Sequence, residues 1–490
     1  MRSFDLFDTL IARRCVSPLA LYSLVEQRAG LPGLAQARSE QAHALWLKCQ
    51  PFSTLDIYTH ALAALGRPAA HAQALSELEY QVELQELLPV RRHLMELQPP
   101  DWVLSDMHHP PWLLSQLLSR AGSAVGALWP ATLICSNRGK HDGQLWHDLR
   151  QQVGVLAHLG DNPGSDVAQA HAAGHQARLT TWTAPNAAEQ RLGQLGAHSL
   201  ARAARSARLR SVGAEGEPLA VLAEAMASLV FPVLSLGAML LHDRMRQQKV
   251  PALVFCGRDG GVWQRVFAAL YPQVPSSVLA SSRAALVGGS PGYRDYVLAH
   301  LPAHAWLVDL CGSGASWGAF WQRFGLAAQP LQLLVGYAPA AHYGAPPVPV
   351  QALASGPAAA QGGYVLEALC EEAYPGLADA QWLGPANLPG ALAGQTPAPA
   401  SGWCGSARLI YQDSAHPPTT SPLAQPMQAV LQVALEELRL ELDRAQDRFA
   451  AHDGQALLAE LLAGLAPLAA LVEQHSGFMA RNRQMAQSLI

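Results

Sequence analysis

Short apolar runs that end abruptly in polar residues mark the first third of the chain. They lie at Ser3 to Leu6, Trp102 to Leu104, Thr132 to Cys135 and Val153 to Leu159, with helical patterns between them. That rhythm predicts an α/β fold with a parallel sheet and crossover helices, whose ligands bind at the carboxyl ends of the strands. From Ser17 to about Leu97 the apolar residues recur instead at spacings of three and four, as in LALYSLVEQRAG, TLDIYTHALAALG and SELEYQVELQELLPVRRHLMEL. Such a period is helical. An all-helical insertion between the first two strands predicts a cap over the site at about 15–100.

Strand character fades from Thr181 to Ser211, where Arg202, Arg205, Arg208 and Arg210 fall mostly at helical spacing. A solvated connecting helix is expected there. This gives a first domain at 1–185, a linker at 186–210 and a second domain at 211–420. The longest apolar segment, Ala225 to Leu241 (AMASLVFPVLSLGAMLL), contains Pro232 and is about the shortest that could span a bilayer, so it predicts a buried helix and not a transmembrane segment. Two strand-turn-helix patterns follow. PALVFCGRDGGVWQRVFAAL gives a strand from Ala252 to Cys256, a turn GRDGG and an amphipathic helix. HAWLVDLCGSGASWGAFWQRF gives a strand from Ala305 to Val308 with Asp309 at its end, the loop LCGSGAS and an aromatic-rich helix.

Tyr343 to Gly402, rich in Ala, Pro and Gly, reads as long surface loops. Between them Glu367 and Glu371 share one helix face, with Glu372 beside them, as candidates for acceptor binding or a catalytic base, although a solvated face is expected. Trp382 and Trp403 flank the second of these loops as buried aromatics or sugar-stacking platforms. The segment 421–490 predicts two C-terminal helices broken near Asp453 and Gly454, with apolar stripes suited to the preceding domain or to a homo-oligomer seam.

Composition narrows the class. A chain of 490 residues that is half hydrophobic and 14% charged is globular, with room for two or three domains. The net charge of -4 gives no electrostatic reason to expect nucleic acid. Seven scattered cysteines without a CxxC pair point to reduced thiols and a cytoplasmic setting. Asp5 and Asp8 interrupt the apolar run that a secretory signal would need. Membrane association is expected only at the inner face and through a partner.

The acids of SFDLFDTL are answered late in the domain by Asp161 and Asp166 in HLGDNPGSD. Carboxylates at the ends of separate buried strands repel one another unless a cation joins them, and a Mg²⁺ site is the economical reading. In the second domain, GRDGG entering a helix offers backbone N–H groups to an anion, and Arg258 adds a charge.

These residues resemble the haloacid dehalogenase superfamily of phosphatases, in four motifs taken in order: Asp5 in FDLFDTL, Ser105 in VLSD, Lys140 in SNRGKHDG, and Asp161 with Asp166 in GDNPGSD. The resemblance implies a Rossmann-like sheet with a helical cap, and Asp5 as a nucleophile that becomes an aspartyl phosphate. It also implies Ser105 and Lys140 as phosphate partners, and Mg²⁺ held by Asp5, Asp161 and Asp166. One position departs from the family. The second aspartate expected two residues after the nucleophile is Phe7, which brings carbon-halogen chemistry into consideration, although the acids after the fourth strand favour phosphate. Asp8 either takes the acid/base role from a re-aimed turn or bonds its own backbone. His108 and His109 follow Ser105 as polar residues at a strand end or as contacts to substrate phosphate.

Asp309, Ser313, Gly314 and Ser316 fit D-x-x-x-[ST]-G-x-[ST], which resembles the phosphoribosyl pyrophosphate loop of type I phosphoribosyltransferases. By that resemblance Gly312 and Gly314 admit the 5-phosphate, Ser313 and Ser316 donate hydroxyls, and Asp309 accepts from ribose. Arg258, Asp259, Gly260 and Gly261 would hold the pyrophosphate, and Arg283 would add a cation. The family's first loop acid is here Val308. The pair of resemblances implies a bifunctional enzyme of bacterial polysaccharide synthesis. It would move 5-phosphoribose from phosphoribosyl pyrophosphate to a glycan or lipid-linked oligosaccharide acceptor and then remove the 5-phosphate. The competing expectations are a lone phosphatase with a glycan- or partner-binding second domain, and a catalytically degenerate scaffold.

Overall fold

The computed structural model describes residues 1–48, 52–122, 133–135, 139–337, 348–371, 377–382, 403–404, 407–411, 421–442 and 451–478. Its contacts divide the chain into two compact units, Met1–Ala187 with Arg208–Ala220, and Ala188–Ala207 with Val221–Ile490.

In the first unit the strands are β1 (Arg2–Asp5), β2 (Ile11–Arg13), β3 (Leu87–Pro89), β4 (Trp102–Ser105), β5 (Leu133–Cys135), β6 (Ala157–Gly160) and β7 (Gln176–Leu179). Five of them form a parallel sheet ordered β5-β4-β1-β6-β7. The register Asp5↔Leu104 and Phe4↔Leu159 brings Asp5, Ser105 and the residues after Gly160 to one edge. Phe4, Leu6, Val103, Leu113 and Leu117 fill one face beneath that edge, and Leu104, Trp146 and Leu149 the other. The strand expected from Val153 starts only at Ala157, because the helix Gln144–Val153 runs to Val153 and Gly154, at φ 82, ends it. β7 gave no apolar run to read. Its residues QARL lie mostly exposed on the sheet edge.

The expected cap is helical: α1 (Pro18–Ala29), α2 (Leu34–Trp46), α3 (Thr54–Ala64), α4 (Ala72–Glu86) and the short α5 (Arg91–Glu96). Ser17 caps α1 by accepting from Ala20 N, and a reciprocal box between Ser53 and Asp56 starts α3. Leu21, Val25, Tyr58, Leu62, Leu75 and Val82 form the cap's own core. The antiparallel ribbon of β2 and β3 joins it to the sheet.

The stretch expected as a linker, 186–210, is not irregular chain. It carries the helices Ala187–Gln194 and His198–Ser211, and residues Ala188–Ala207 group with the second unit. Nor is its basic stripe solvated, since Arg205 and Arg208 are buried. Arg208 donates to the carbonyls of Trp182 and Ala184 at 2.5 and 3.0 Å, and Arg202 pairs with Glu441 at 2.6 Å. Partners that distant in sequence leave no local signal.

The second unit holds β8 (Leu253–Cys256), β9 (Ser276–Leu279), β10 (Trp306–Gly312), β11 (Leu331–Gly336) and β12 (Val350–Ser355) in a parallel sheet ordered β12-β11-β10-β8-β9. Three further strands, β13 (Leu377–Trp382), β14 (Trp403–Cys404) and β15 (Ala407–Tyr411), pair antiparallel. The region expected as surface loops therefore contains β12 and β13, and the helix expected around Glu367 starts earlier, at Pro357; its small residues hid the pattern. The predicted buried helix is present within the helical run Ala220–Gln248, whose apolar 18-residue window is 83% buried. That run and Asp453–Ser476 are both long and apolar enough to cross a membrane by length and composition. Asp453 and Gly454 do not break the last segment, because the helix Ala451–Leu465 runs through them.

Close packing within the second unit gives a direct test. A Cβ added at Gly362 would lie 2.0 Å from the Leu462 carbonyl oxygen, a backbone atom that cannot step aside. Gly362→Ala is expected to cost about 1–3 kcal/mol or more in thermal unfolding of the intact chain. An unchanged transition would mean that these helices are not packed this closely.

Candidate active site

Asp5 ends β1, and the chain turns at once: Leu6 O accepts from Leu10 N at 2.9 Å and Ile11 N at 3.0 Å. Asp8 takes φ 55 in that turn, a left-handed conformation that aspartate tolerates better than most residues. Lys140 Nζ bonds Asp5 Oδ1 and lies 2.6 Å from Asp166 Oδ1. The lysine is anchored by its own backbone, whose N–H donates to Asp106 Oδ2 at 3.0 Å. Beside Asp106, the buried Ser105 accepts from Met107 N at 3.3 Å. Asp166 sits in a π-helical turn, Pro163–Ala168, started by Asn162, whose side chain accepts from Gly164 N and Ser165 N. A Cβ at Gly160 would fall 2.4 Å from Asp166 Cγ, so only glycine lets that carboxylate approach the strand end.

Asp5, Asp161 and Asp166 each offer an oxygen within 4.8 Å of the others. Burial, opposed by Lys140, pushes Asp5 well above the usual carboxylate range. Burial, then Asp8 and Asp166, raise Asp161 to about 6. Asp166 is held below its ordinary value because His158 and Lys140 outweigh its burial. One lysine faces the acids Asp5, Asp161 and Asp166, with Asp8 close enough to act on Asp161. Three carboxylates whose oxygens converge in this way could hold a metal ion.

The turn also separates the roles of its two ambiguous residues. Phe7 lies against the Arg13 guanidinium at 4.5 Å and the His109 ring at 6.1 Å. After burial itself, Asp8 is the largest acidic influence on Asp161. Phe7 therefore packs beside the cap network, while Asp8 acts on both Arg13 and Asp161.

Under the cap lies a network that local sequence patterns did not reveal. Arg13 makes two bonds to Glu83 at 2.9 and 2.7 Å, and Arg38 makes two to Glu79 at 2.9 and 2.7 Å. Tyr58 donates to Glu79 at 2.7 Å, and His109 bridges Glu83 at 3.2 Å and Thr54 at 3.3 Å. Arg13, Arg38, Glu79, Glu83, Tyr58 and His109 are all buried. One signal was available: Glu79, Glu83 and Glu86 fall among the buried positions of α4, beside Leu75 and Val82. Glu79, His108 and His109 are also spaced for a metal, but Arg38 already supplies the cation there.

In the second unit GRDGG is not a free loop. It forms the first turn of the helix Gly257–Leu270, entered through Gly257 at φ 78, and includes Asp259, Gly260 and Gly261; the Arg258 side chain lies outside the described residues. Asp309 does not end its strand either, since β10 pairs onward through Asp309↔Leu333 to Gly312↔Gly336. After it, Ser313 accepts from Ala315 N at 3.4 Å, Gly314 takes φ 77, and Ser316 opens the helix Ala315–Phe324. β8 and β10 are neighbours, and the sheet grows in opposite directions from them, through β9 on one side and β11 on the other. Both glycine turns thus flank a topological switch point, where doubly wound sheets bind ligands.

Acids gather there too. Burial, then Asp259 and Glu367, raise Asp309 well above its usual range. Burial and then Asp259 push Glu367 up to about 8, although Tyr337 donates to it at 3.0 Å and the exposed Arg283 opposes the rise. Glu367 and Glu371 are therefore not a solvated face: the first is half-buried and the second buried. Glu372 and the side chains of Trp382 and Trp403 lie outside the described residues. Cys15, Cys256, Cys311 and Cys370 are free thiols.

No family model and no curated protein matches this chain.

Proposed function

We propose that the first unit is a Mg²⁺-dependent phosphatase of the haloacid dehalogenase type. The observation that carries this reading is the convergence of Asp5, Lys140, Asp161 and Asp166 at the carboxyl edge of a parallel sheet, beneath a helical cap. In the proposed reaction an Asp5 oxygen attacks phosphorus, and the bond to the leaving oxygen breaks as that oxygen takes a proton from Asp8. Asp8 then accepts a proton from water, whose oxygen attacks phosphorus and releases phosphate from Asp5. Lys140 stabilises the phosphoryl oxygens and Ser105 binds them. Asp5, Asp161 and Asp166 would hold Mg²⁺, which supplies further charge neutralisation to the phosphoryl group when bound.

The particular enzyme proposed is bifunctional. Its second unit transfers 5-phosphoribose from phosphoribosyl pyrophosphate to a glycan acceptor, and the first unit then removes the 5-phosphate. Support comes from the two glycine turns beside the switch point and from Asp259, Asp309 and Glu367 near them. Incubation with phosphoribosyl pyrophosphate, Mg²⁺ and candidate glycans, followed by mass spectrometry, is expected to give a ribosylated product that Asp309→Ala does not form. The position of Asp309 inside β10, and not at its end, favours a second reading in which this unit binds glycan without turnover. That reading requires that no acceptor provoke consumption of phosphoribosyl pyrophosphate.

A further inference from the structure

The bridges Arg13–Glu83 and Arg38–Glu79 withdraw four charged groups from water, where an apolar cluster could fill the same space at less cost. What they hold in place is the histidine pair behind Ser105. His109 is fully engaged, one nitrogen at Glu83 and the other at Thr54. His108 is different. Its Nε2 lies 2.7 Å from Arg38 Nη2, and a guanidinium can only donate, so Nε2 presents its lone pair and the neutral ring carries its proton on Nδ1. Burial first, and then the Arg38 charge, hold His108 well below the ordinary histidine range.

Phe52 of the cap stacks on the same ring at 5.6 Å. His108 is thus gripped by two cap residues, yet it is half-buried, and its Nδ1–H has no partner among the described residues. Arg13 and Arg38 are each neutralised by a glutamate, which leaves this network without a spare cation for a second phosphate.

We propose that His108 is a specificity-determining residue whose Nδ1–H donates to an oxygen of an uncharged, hydroxylated leaving group, with Arg38 as the positioning residue that fixes the tautomer. The substrate class is then a sugar monophosphate in preference to a bisphosphate. The inference rests on the phosphatase reading of Asp5.

The test uses the full chain carrying Asp5→Asn, so that ligand binds without turnover. Ribose 5-phosphate and inorganic phosphate are titrated in Mg²⁺ into this variant and into the same variant with His108→Ala or His108→Asn. Loss of one hydrogen bond is expected to weaken ribose 5-phosphate about tenfold with His108→Ala while leaving inorganic phosphate within about twofold. His108→Asn, which keeps a neutral N–H donor, is expected to recover part of the loss. In ¹⁵N-histidine-labelled protein, Arg38→Met is expected to remove the fixed Nδ1–H signature of His108. Equal weakening of both ligands, or unchanged ribose 5-phosphate affinity, overturns the role of His108 alone. Failure of either ligand to bind overturns the phosphatase reading together with it.

Discussion

On the proposed phosphatase reading, Asp5→Asn is expected to lower Mg²⁺-dependent hydrolysis of phosphate monoesters by at least about three orders of magnitude, the scale expected when a covalent nucleophile is removed. The amide is nearly isosteric but is a poor nucleophile, and it weakens the pairing with Lys140. In the coupled reaction the same variant is expected to accumulate a phosphoribosylated glycan, detected by its mass. Dephosphorylated ribosyl product formed at the wild-type rate would show that Asp5 is not the nucleophile.

Arg38→Ala is the largest expected loss of stability. Both partners of the Arg38–Glu79 bridge are essentially unexposed, at 1% and 0%. Removing the arginine leaves the carboxylate of Glu79 with Tyr58 as its remaining hydrogen-bond donor among the described residues, and breaking one side of such a pair costs about 3–5 kcal/mol. Arg2→Ala provides the contrast: Arg2 is 44% exposed in its bridge to Asp101, so solvent screens the pair, and Asp101 keeps the N–H of Gln98 as a donor, which makes a smaller loss expected. Urea unfolding of both variants measures the difference. A similar small loss in each would mean that the cap network is open to water.

The parts of the site that lie along single strands could be read from the sequence. Asp5 and Ser105 each close an apolar run, and Asp161 follows one, so period and polarity alone set them at the edge of a sheet. The cap was equally legible, because the three-and-four spacing in α1, α3 and α4 is a local property of a helix that buries one face. Asp309 was misplaced for a physical reason. Leu310, Cys311 and Gly312 carry the marks of a turn, but pairing with β11 extends the strand through them. Ladder hydrogen bonds from a neighbouring strand override such weak local preferences.

Residue order by itself determined the alternation of strand and helix, the helical insertion, and the chemistry available at each strand end, because these depend on neighbours a few positions apart. Tertiary structure alone decided which charges meet. Arg13 and Glu83 are separated by 70 residues, Arg38 and Glu79 by 41, and Lys140 and Asp5 by 135. It also decided that Phe7 packs beside the cap network while Asp8 lies near enough to act on both Arg13 and Asp161. Pairings of this kind are fixed by the register of the sheet and by burial, which withdraws charges from water and leaves them only one another as partners.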